Sequence, residues 1–332
     1  MNSLSLIINP NFNIHYYSYY LFALEQNRYR IEYKNNAFPQ FHDHCLAFKI
    51  NNGKSKKNIY ISAGDGTGFN SLALDWCDVY GKVNIDKSTI PTKYSKKIIP
   101  LGPSFGIKYL NWFESIHQCL ITFNKSNMSF FHTRNHFANY YRQWKYRNPF
   151  ASYAKIEPHE NYIFHASTLW RKELFTNQHR ANFMQECIAN TNINFEGGFA
   201  PGKEGYFPEY RHLILEKKYS HNQYLRRINK SFVVFNTPAV QSCLGWKLAE
   251  YLALGKAIIS TPIINLLPSP LINGEHIHFV DGSEKSINNA INIIQSDHDY
   301  RKILQHNSRA YFLKYLSPSS ILKRIIKFAD LY

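Results

Sequence analysis

One stretch limits the folds open to this chain more than any other: Ser231 to Pro262, SFVVFNTPAVQSCLGWKLAEYLALGKAIISTP. Phe232–Asn236 reads as a short buried strand entering a loop, Gly245–Leu254 as a helix, and Ala257–Ser260 as the next strand. Leu244, Leu248, Tyr251 and Leu252 recur at helical spacing and form the stripe that packs inward. A strand, a helix and a strand within about 30 residues make one βαβ unit. Such a unit implies a parallel sheet with helices across its faces.

The other side of that helix carries Trp246, Lys247 and Glu250. A tryptophan on a face that ought to be wet points to the border of a pocket. Gly245 opens the helix, where a missing Cβ lets a ligand approach the backbone and free N–H groups favour a phosphate. Lys247 in the first turn opposes the helix dipole unless an anion lies beside it. Glu250, one turn on, is able to accept two hydroxyl hydrogen bonds from a ribose or hexose. A Lys–Glu pair at i, i+3 is also an ordinary surface pair worth about 0.2–0.5 kcal/mol. The buried strand before it and the glycine and tryptophan beside it favour the ligand reading.

The same alternation runs through the rest of the chain. Leu4–Asn9, Arg30–Tyr33, Leu46–Ile50, Ile59–Ser62, Val79–Ile85 and Ile98–Leu101 read as strands, with helices at Tyr17–Gln26, Trp112–Phe123 and His132–Lys145. The nearly continuous apolar strands predict a parallel sheet covered on both faces. Arg147–Pro158 holds two prolines and little periodicity, and the domain boundary is placed there. The alternation then restarts with a strand at Tyr162–Ala166, a helix at Gln178–Ala189, a strand at Asn192–Phe195 and a helix at His221–Asn229. Beyond the βαβ unit come a strand at Ile277–Val280 and helices at Ser283–Ile294, Tyr300–Tyr315 and Ser319–Leu331. A length of 332 residues suits two domains of ordinary size.

With Gly245, Glu250, Ala253, Gly255, Lys256 and Ala257-Ile258-Ile259 in hand, the stretch resembles the donor-binding segment of GT-B glycosyltransferases, G-x-x-x-x-E-x-x-A-x-G-K/R-P-V-I. The resemblance implies an α/β fold of two Rossmann-like domains facing a cleft. Residues 1–150 would form the acceptor domain and 151–315 the nucleotide-sugar donor domain. Residues 316–332 would be a helix packing back on the first domain. It also implies that Glu250 binds the donor ribose and that the helix start receives the phosphates. Two positions depart from the pattern. Ala257 replaces the usual proline, and Ser242 stands where many retaining members carry a second glutamate, which leaves the stereochemistry open. The resemblance covers the C-terminal half well and the N-terminal half in outline.

Further candidates sit at strand ends, where open α/β sheets bind ligands. After Tyr162–Ala166 come Trp170, Arg171 and Lys172, two of them cations suited to a diphosphate, with Arg180 and Arg226 as substitutes. Asn236, Thr237 and Pro238 follow a second strand and are read as lining the nucleotide base, and Glu196-Gly197-Gly198 follows a third. Direct displacement needs a base for the acceptor proton. The candidates are His15, shortly after the first strand, and Asp65 in SAGDGTG. Gly64, Gly66 and Gly68 do not match the dinucleotide fingerprint. His42-Asp43-His44 lacks a partner cluster, and Asp297-His298-Asp299, which mimics a metal-binding DxD, sits between two helices. No required metal and no cofactor is expected, the nucleotide-sugar being a substrate, UDP- or GDP-linked.

The charge narrows the partners. With 39 lysines and arginines against 23 acidic residues the net charge is +16, which favours an anionic partner. No zinc-finger spacing, RNP-type motif or basic region with heptads is present, so nucleic acid is the weaker expectation. Five scattered cysteines without CxxC suit reduced thiols and a cytoplasmic setting. MNSLSLIINP lacks the features of a signal peptide, and no run approaches a spanning helix. Ile321–Phe328 reads as an amphipathic basic helix that could touch anionic lipid, with packing on the first domain the preferred expectation; peripheral contact with an anionic membrane at its inner face is an expectation that rests on the total charge. The partners expected are a nucleotide-sugar donor and a glycan or lipid-linked glycan acceptor. Two other classes stay open: a non-catalytic glycan- or anion-binding protein, and a sugar-nucleotide epimerase of the same fold.

Overall fold

The computed structural model describes residues 5–27, 29–41, 45–128, 130–154, 158–202 and 207–331. The chain divides into two compact units. The first comprises residues 1–150, 265–268 and 315–332, and the second residues 151–264 and 269–314. The His42-Asp43-His44 triplet lies outside the described residues.

The first unit is built on six strands: β1 (Ser5–Ile8), β2 (Arg30–Tyr33), β3 (Leu46–Asn51), β4 (Lys56–Ser62), β5 (Val79–Lys82) and β6 (Ile98–Pro100), in the order β2-β1-β3-β4-β5-β6. The outer pairs are parallel, but β1–β3 and β3–β4 are antiparallel, so the sheet is mixed where the sequence reading expected a parallel one. The reason is local. Asn52-Gly53 turns the chain straight back, with Gly53 at φ 84° and the Asn52 N–H donating to the Ser55 carbonyl at 3.2 Å. An Asn-Gly pair between two apolar runs is a hairpin signal.

Among the described residues, the α-helices of this unit are α1 (Ile14–Gln26), α2 (Ser71–Trp76), α3 (Trp112–Lys125), α4 (Phe130–Tyr146) and α10 (Pro318–Phe328). The short α2, absent from the sequence reading, starts on an Asn70 cap and packs Ala73 and Leu74 into a core with Tyr60 and Tyr80. Ser317 caps α10 and Pro318 fills its first turn, where a missing N–H costs nothing. The apolar residues of α10 (Ile321, Leu322, Ile325 and Ile326) are buried, and the helix packs on α1.

The second unit has strands β7 (Tyr162–Ser167), β8 (Asn194–Phe199), β9 (Val233–Asn236), β10 (Ala257–Ser260) and β11 (His278–Phe279), and helices α5 (Leu174–Ala189), α6 (His221–Lys230), α7 (Trp246–Ala253), α8 (Glu284–Ser296) and α9 (His298–Tyr311). All its strand pairs are parallel: β7 with β8, and β9-β10-β11. β7 runs beside the entry to β9, where the Phe232 N–H donates to the Tyr162 carbonyl at 3.0 Å. The next contact is made by a side chain, the Phe164 N–H donating to Ser231 Oγ at 2.8 Å, and this interrupts a regular ladder. Every residue of β9 and β10 is buried, as expected of strands covered on both faces. Val233, Phe235, Ala257 and Ile259 form one core with Phe183 of α5 and Ile287 and Ile291 of α8. The alternate residues Val234 and Ile258 therefore serve the opposite face.

Candidate functional site

The carboxyl ends of β7 and β9 bring a cluster of polar side chains together. Arg180, on the buried side of α5, is its hinge. Its Nε donates to Thr237 Oγ1 at 2.9 Å, Nη1 to the Thr168 carbonyl at 2.9 Å, and Nη2 to the Pro238 carbonyl at 3.5 Å. One guanidinium thus ties the loop after β7 to the loop after β9. The half-buried Lys247 reaches the same place from α7, its Nζ donating to the Ala166 carbonyl at the end of β7. Burial, and then Arg180, pull the Lys247 ammonium down to about 7 against the pull of Glu250 in the other direction. Burial likewise lowers Arg180 to about 10.

Glu250 corrects one expectation. The sequence reading placed it with Trp246 and Lys247 on a wet face, but it is only 4% exposed. Its Oε1 accepts from the Tyr153 hydroxyl at 3.2 Å and lies 3.6 Å from His221 Nε2, and that imidazole is itself 3.0 Å from the Tyr153 oxygen. Tyr153 and His221 therefore position the carboxylate. Neither carried a signal in the sequence. Tyr153 lies in an aperiodic stretch, and His221 is the first residue of a helix whose Ser220/Gln223 capping box explains it locally. Trp246 is half-buried.

The loop into α7 is held in an unusual shape. Gln241 and Ser242 have φ of 55° and 56°, a region that non-glycine residues rarely occupy. The Gln241 N–H donates to Glu173 Oε1 at 2.7 Å, and the Ala239 N–H to the Cys243 carbonyl at 3.0 Å. Gly245 is the N-cap of α7 and makes no side-chain cap there. A Cβ built on it would lie 3.6 Å from Ala239 Cβ, an ordinary contact, so packing alone does not demand glycine.

Other candidates fall elsewhere. Trp170, Arg171 and Lys172 form a solvent-exposed turn before α5, fixed by the buried Asn177, whose Nδ2 donates to the Trp170 carbonyl at 2.8 Å. The cations built into the strand-end cluster are Arg180 and Lys247. Asn236 is buried and ties β9 to β10, its Nδ2 donating to Ser260 Oγ at 2.9 Å. Lys256 of the Gly-Lys pair points away from the cluster. Its Nζ donates to the Asn229 and Ser231 carbonyls at the end of α6. Gly197 and Gly198 are structural, since a Cβ on Gly197 would stand 1.9 Å from the His165 carbonyl oxygen. Asp297 of the DxD-like triplet caps α9, accepting from the Tyr300 N–H at 2.8 Å.

In the first unit, Asp65 lies exposed on the loop after β4. His15 sits on α1 with Arg147 Nη2 3.2 and 3.3 Å from its ring nitrogens. Burial, then Arg147 and Arg142, lower its imidazole to about 4. It is neutral near pH 7 and a weak base, poorly matched to proton abstraction there. Among the described residues no three His, Cys, Asp or Glu side chains group as metal ligands, and no helix is long and apolar enough to cross a membrane.

Two cations, a buried carboxylate, an open helix start and two strand ends thus meet within one unit. Their chemistry suits an anion carrying a hydroxylated ring: the cations oppose phosphate charge, and the carboxylate accepts from hydroxyls.

No family model and no curated protein matches this sequence. In structure the chain is similar to a glycosyltransferase from Rickettsia africae, at 11% identity and a TM-score of 0.43 over 82% of this chain and 70% of that one. It is also similar to sucrose-phosphate synthase from Thermosynechococcus elongatus, at 12% identity and 0.44 over 82% and 66%. HepE from Anabaena, solved with UDP and glucose, is similar at 10% identity and 0.43 over 82% and 71%.

Proposed function

We propose that this chain is a glycosyltransferase whose second unit holds a nucleotide-sugar donor. The observation that carries the reading is the enclosure of Lys247 and Arg180 with the positioned carboxylate of Glu250 at the carboxyl ends of β7 and β9. Two partly desolvated cations beside one carboxylate are costly unless an anion joins them. A nucleoside diphosphate linked to a sugar supplies that anion. In this reading Lys247 and Arg180 oppose the charge that grows on the departing diphosphate. Gly245 leaves room for a phosphate at the start of α7. Glu250 accepts from the ribose hydroxyls, with Tyr153 and His221 fixing its rotamer. Thr237 and Pro238 border the base, and Trp170, Arg171 and Lys172 form the rim. Asp65 is assigned to take the acceptor proton as the bond to the donor breaks. The transfer needs no metal in this scheme, the two cations taking the charge that a metal would otherwise take. The acceptor is proposed to be a glycan of cell-surface polysaccharide or glycoconjugate synthesis, supported by the sequence resemblance and the positive charge of the chain.

The test is a thermal-shift screen against UDP, GDP, CMP, dTDP and ADP. A ligand at about 100 times its Kd adds roughly 2.7 kcal/mol to the native state. One nucleotide that stabilises the wild type and fails on Lys247→Ala supports the donor site. Release of that nucleotide from its sugar conjugate, faster with glycan acceptors, supports transfer. Stabilisation by none of the five in a folded sample refutes the donor site.

A further inference from the structure

Helix α3 is inside out. Its inward face is mostly polar: Ser115, Gln118 and Thr122 are buried there with Cys119. Gln118 accepts from the Tyr109 hydroxyl at 2.7 Å and donates to the Tyr33 hydroxyl at 3.0 Å, and Thr122 Oγ1 lies 3.1 Å from the Tyr140 hydroxyl. Its outward face is apolar. Phe113, Ile116 and Leu120, at i, i+3 and i+7, are exposed, Phe113 by 80%. The Asn111/Glu114 capping box fixes where the helix begins. Helix α4 extends the patch. Phe137 packs on Phe123 with ring centroids 5.2 Å apart, and Trp112 packs on Trp144 at 4.5 Å, while Phe137 and Tyr141 remain exposed. Cations frame these rings. Lys108 Nζ lies 5.3 Å from the Trp144 centroid and Lys145 Nζ 5.1 Å from that of Tyr141. Between Lys108 and Arg147 six lysines and arginines stand against one acidic residue, Glu114.

We propose that this face of α3 and α4 docks on an anionic phospholipid bilayer. An exposed contiguous apolar patch marks an interaction surface. Aromatic rings with lysines beside them suit the bilayer interface, where the rings enter the acyl boundary and the cations meet phosphate headgroups. A second copy of this chain is the poorer occupant, because each copy brings a net charge of +16 and the patch is itself cationic. The helix that the sequence offered for membrane contact, α10, buries Ile321, Leu322, Ile325 and Ile326 in its own unit, with Phe328 exposed at its end. The surface shares no residue with the donor site, so either reading can fail alone.

The test is co-sedimentation of the full chain with vesicles of phosphatidylcholine alone and of phosphatidylcholine mixed with phosphatidylglycerol. The wild type is expected to sediment with the anionic vesicles only, and less at high salt as the charges are screened. Phe113→Ser/Ile116→Ser/Leu120→Ser should lower the partition constant by on the order of a hundredfold, since each apolar side chain lost removes buried area worth a sizeable fraction of a decade or more. These side chains are exposed, so the thermal melt should be unchanged. Lys108→Glu/Lys145→Glu, a second variant, should weaken binding to anionic vesicles by at least about thirtyfold. Wild type left in the supernatant with anionic vesicles overturns the proposal. So does sedimentation of both variants equal to that of the wild type, or a concentration-dependent dimer that the serine variant abolishes in place of vesicle binding.

Discussion

The depressed pKa of Lys247 makes nucleotide binding pH-dependent in a calculable way. Without ligand the ammonium titrates near 7, because burial and Arg180 outweigh the attraction of Glu250. A diphosphate beside it favours the charged form and raises the value toward the ordinary lysine figure of about 10.4. The signs then follow. Below about pH 7 the lysine is charged with or without ligand, and affinity is flat. Above it, the free protein must take up a proton to bind, and affinity falls by up to about tenfold per pH unit until the bound-state pKa is reached. Between pH 6 and pH 9 the loss is about a hundredfold, or roughly 2.7 kcal/mol. His165, the other titratable base facing Lys247, is held well below its usual value by burial and by the same two cations, so it stays neutral over this range. Isothermal titration with the nucleotide-sugar, whose diphosphate has no group titrating there, measures the profile. Repeating it in buffers of different ionisation enthalpy counts the proton. Lys247→Arg, charged throughout, should flatten the curve. A flat wild-type profile, or the same slope in Lys247→Arg, refutes the assignment.

Gly245→Ala should fold with stability within about 0.5 kcal/mol of wild type, because its Cβ meets only Ala239 and its φ of −74° suits alanine; nucleotide affinity should nonetheless fall at least about tenfold in the thermal-shift screen, and an unchanged affinity would remove the phosphate from this position. Gly197→Ala should cost more than about 3 kcal/mol in urea denaturation, since it combines a φ of 143° with a Cβ 1.9 Å from a carbonyl oxygen. Lys256→Met, which leaves two carbonyls at the end of α6 without their ammonium partner, should lower stability by about 1–3 kcal/mol while a folded sample keeps its nucleotide response. Glu250→Gln keeps the size of the side chain and loses its charge; ribonucleotide affinity should drop by about tenfold to a hundredfold, read by the same titration.

Much of the second unit was legible in sequence because its signals are local. Phe232–Asn236, Gly245–Leu254 and Ala257–Ser260 each carry their own periodicity, and their spacing fits one βαβ unit, which β9, α7 and β10 form. Gly245, Lys247 and Glu250 stood out because helix geometry alone puts a dipole, a misplaced cation and a carboxylate within two turns. What a local pattern cannot carry is which distant residue arrives beside them. Arg180 was one of several basic residues near a strand end until the fold set its guanidinium between Thr168, Thr237 and Pro238. The burial of Glu250, and its support by Tyr153 and His221, exist only once α6 and the segment before β7 close over α7. The same holds for Lys256, a motif residue by sequence and a cap for α6 by contact. In the first unit, the parallel sheet expected from continuous apolar strands became mixed through one Asn-Gly turn, a two-residue signal overshadowed by the longer runs around it. Helix α3 shows the limit most clearly. Its sequence has one apolar and one polar face, and the ordinary rule turns the apolar face inward. Only the tertiary structure, by supplying the Tyr33, Tyr109 and Tyr140 hydroxyls as partners for Gln118 and Thr122, decides that the polar face goes in and the apolar face stays out.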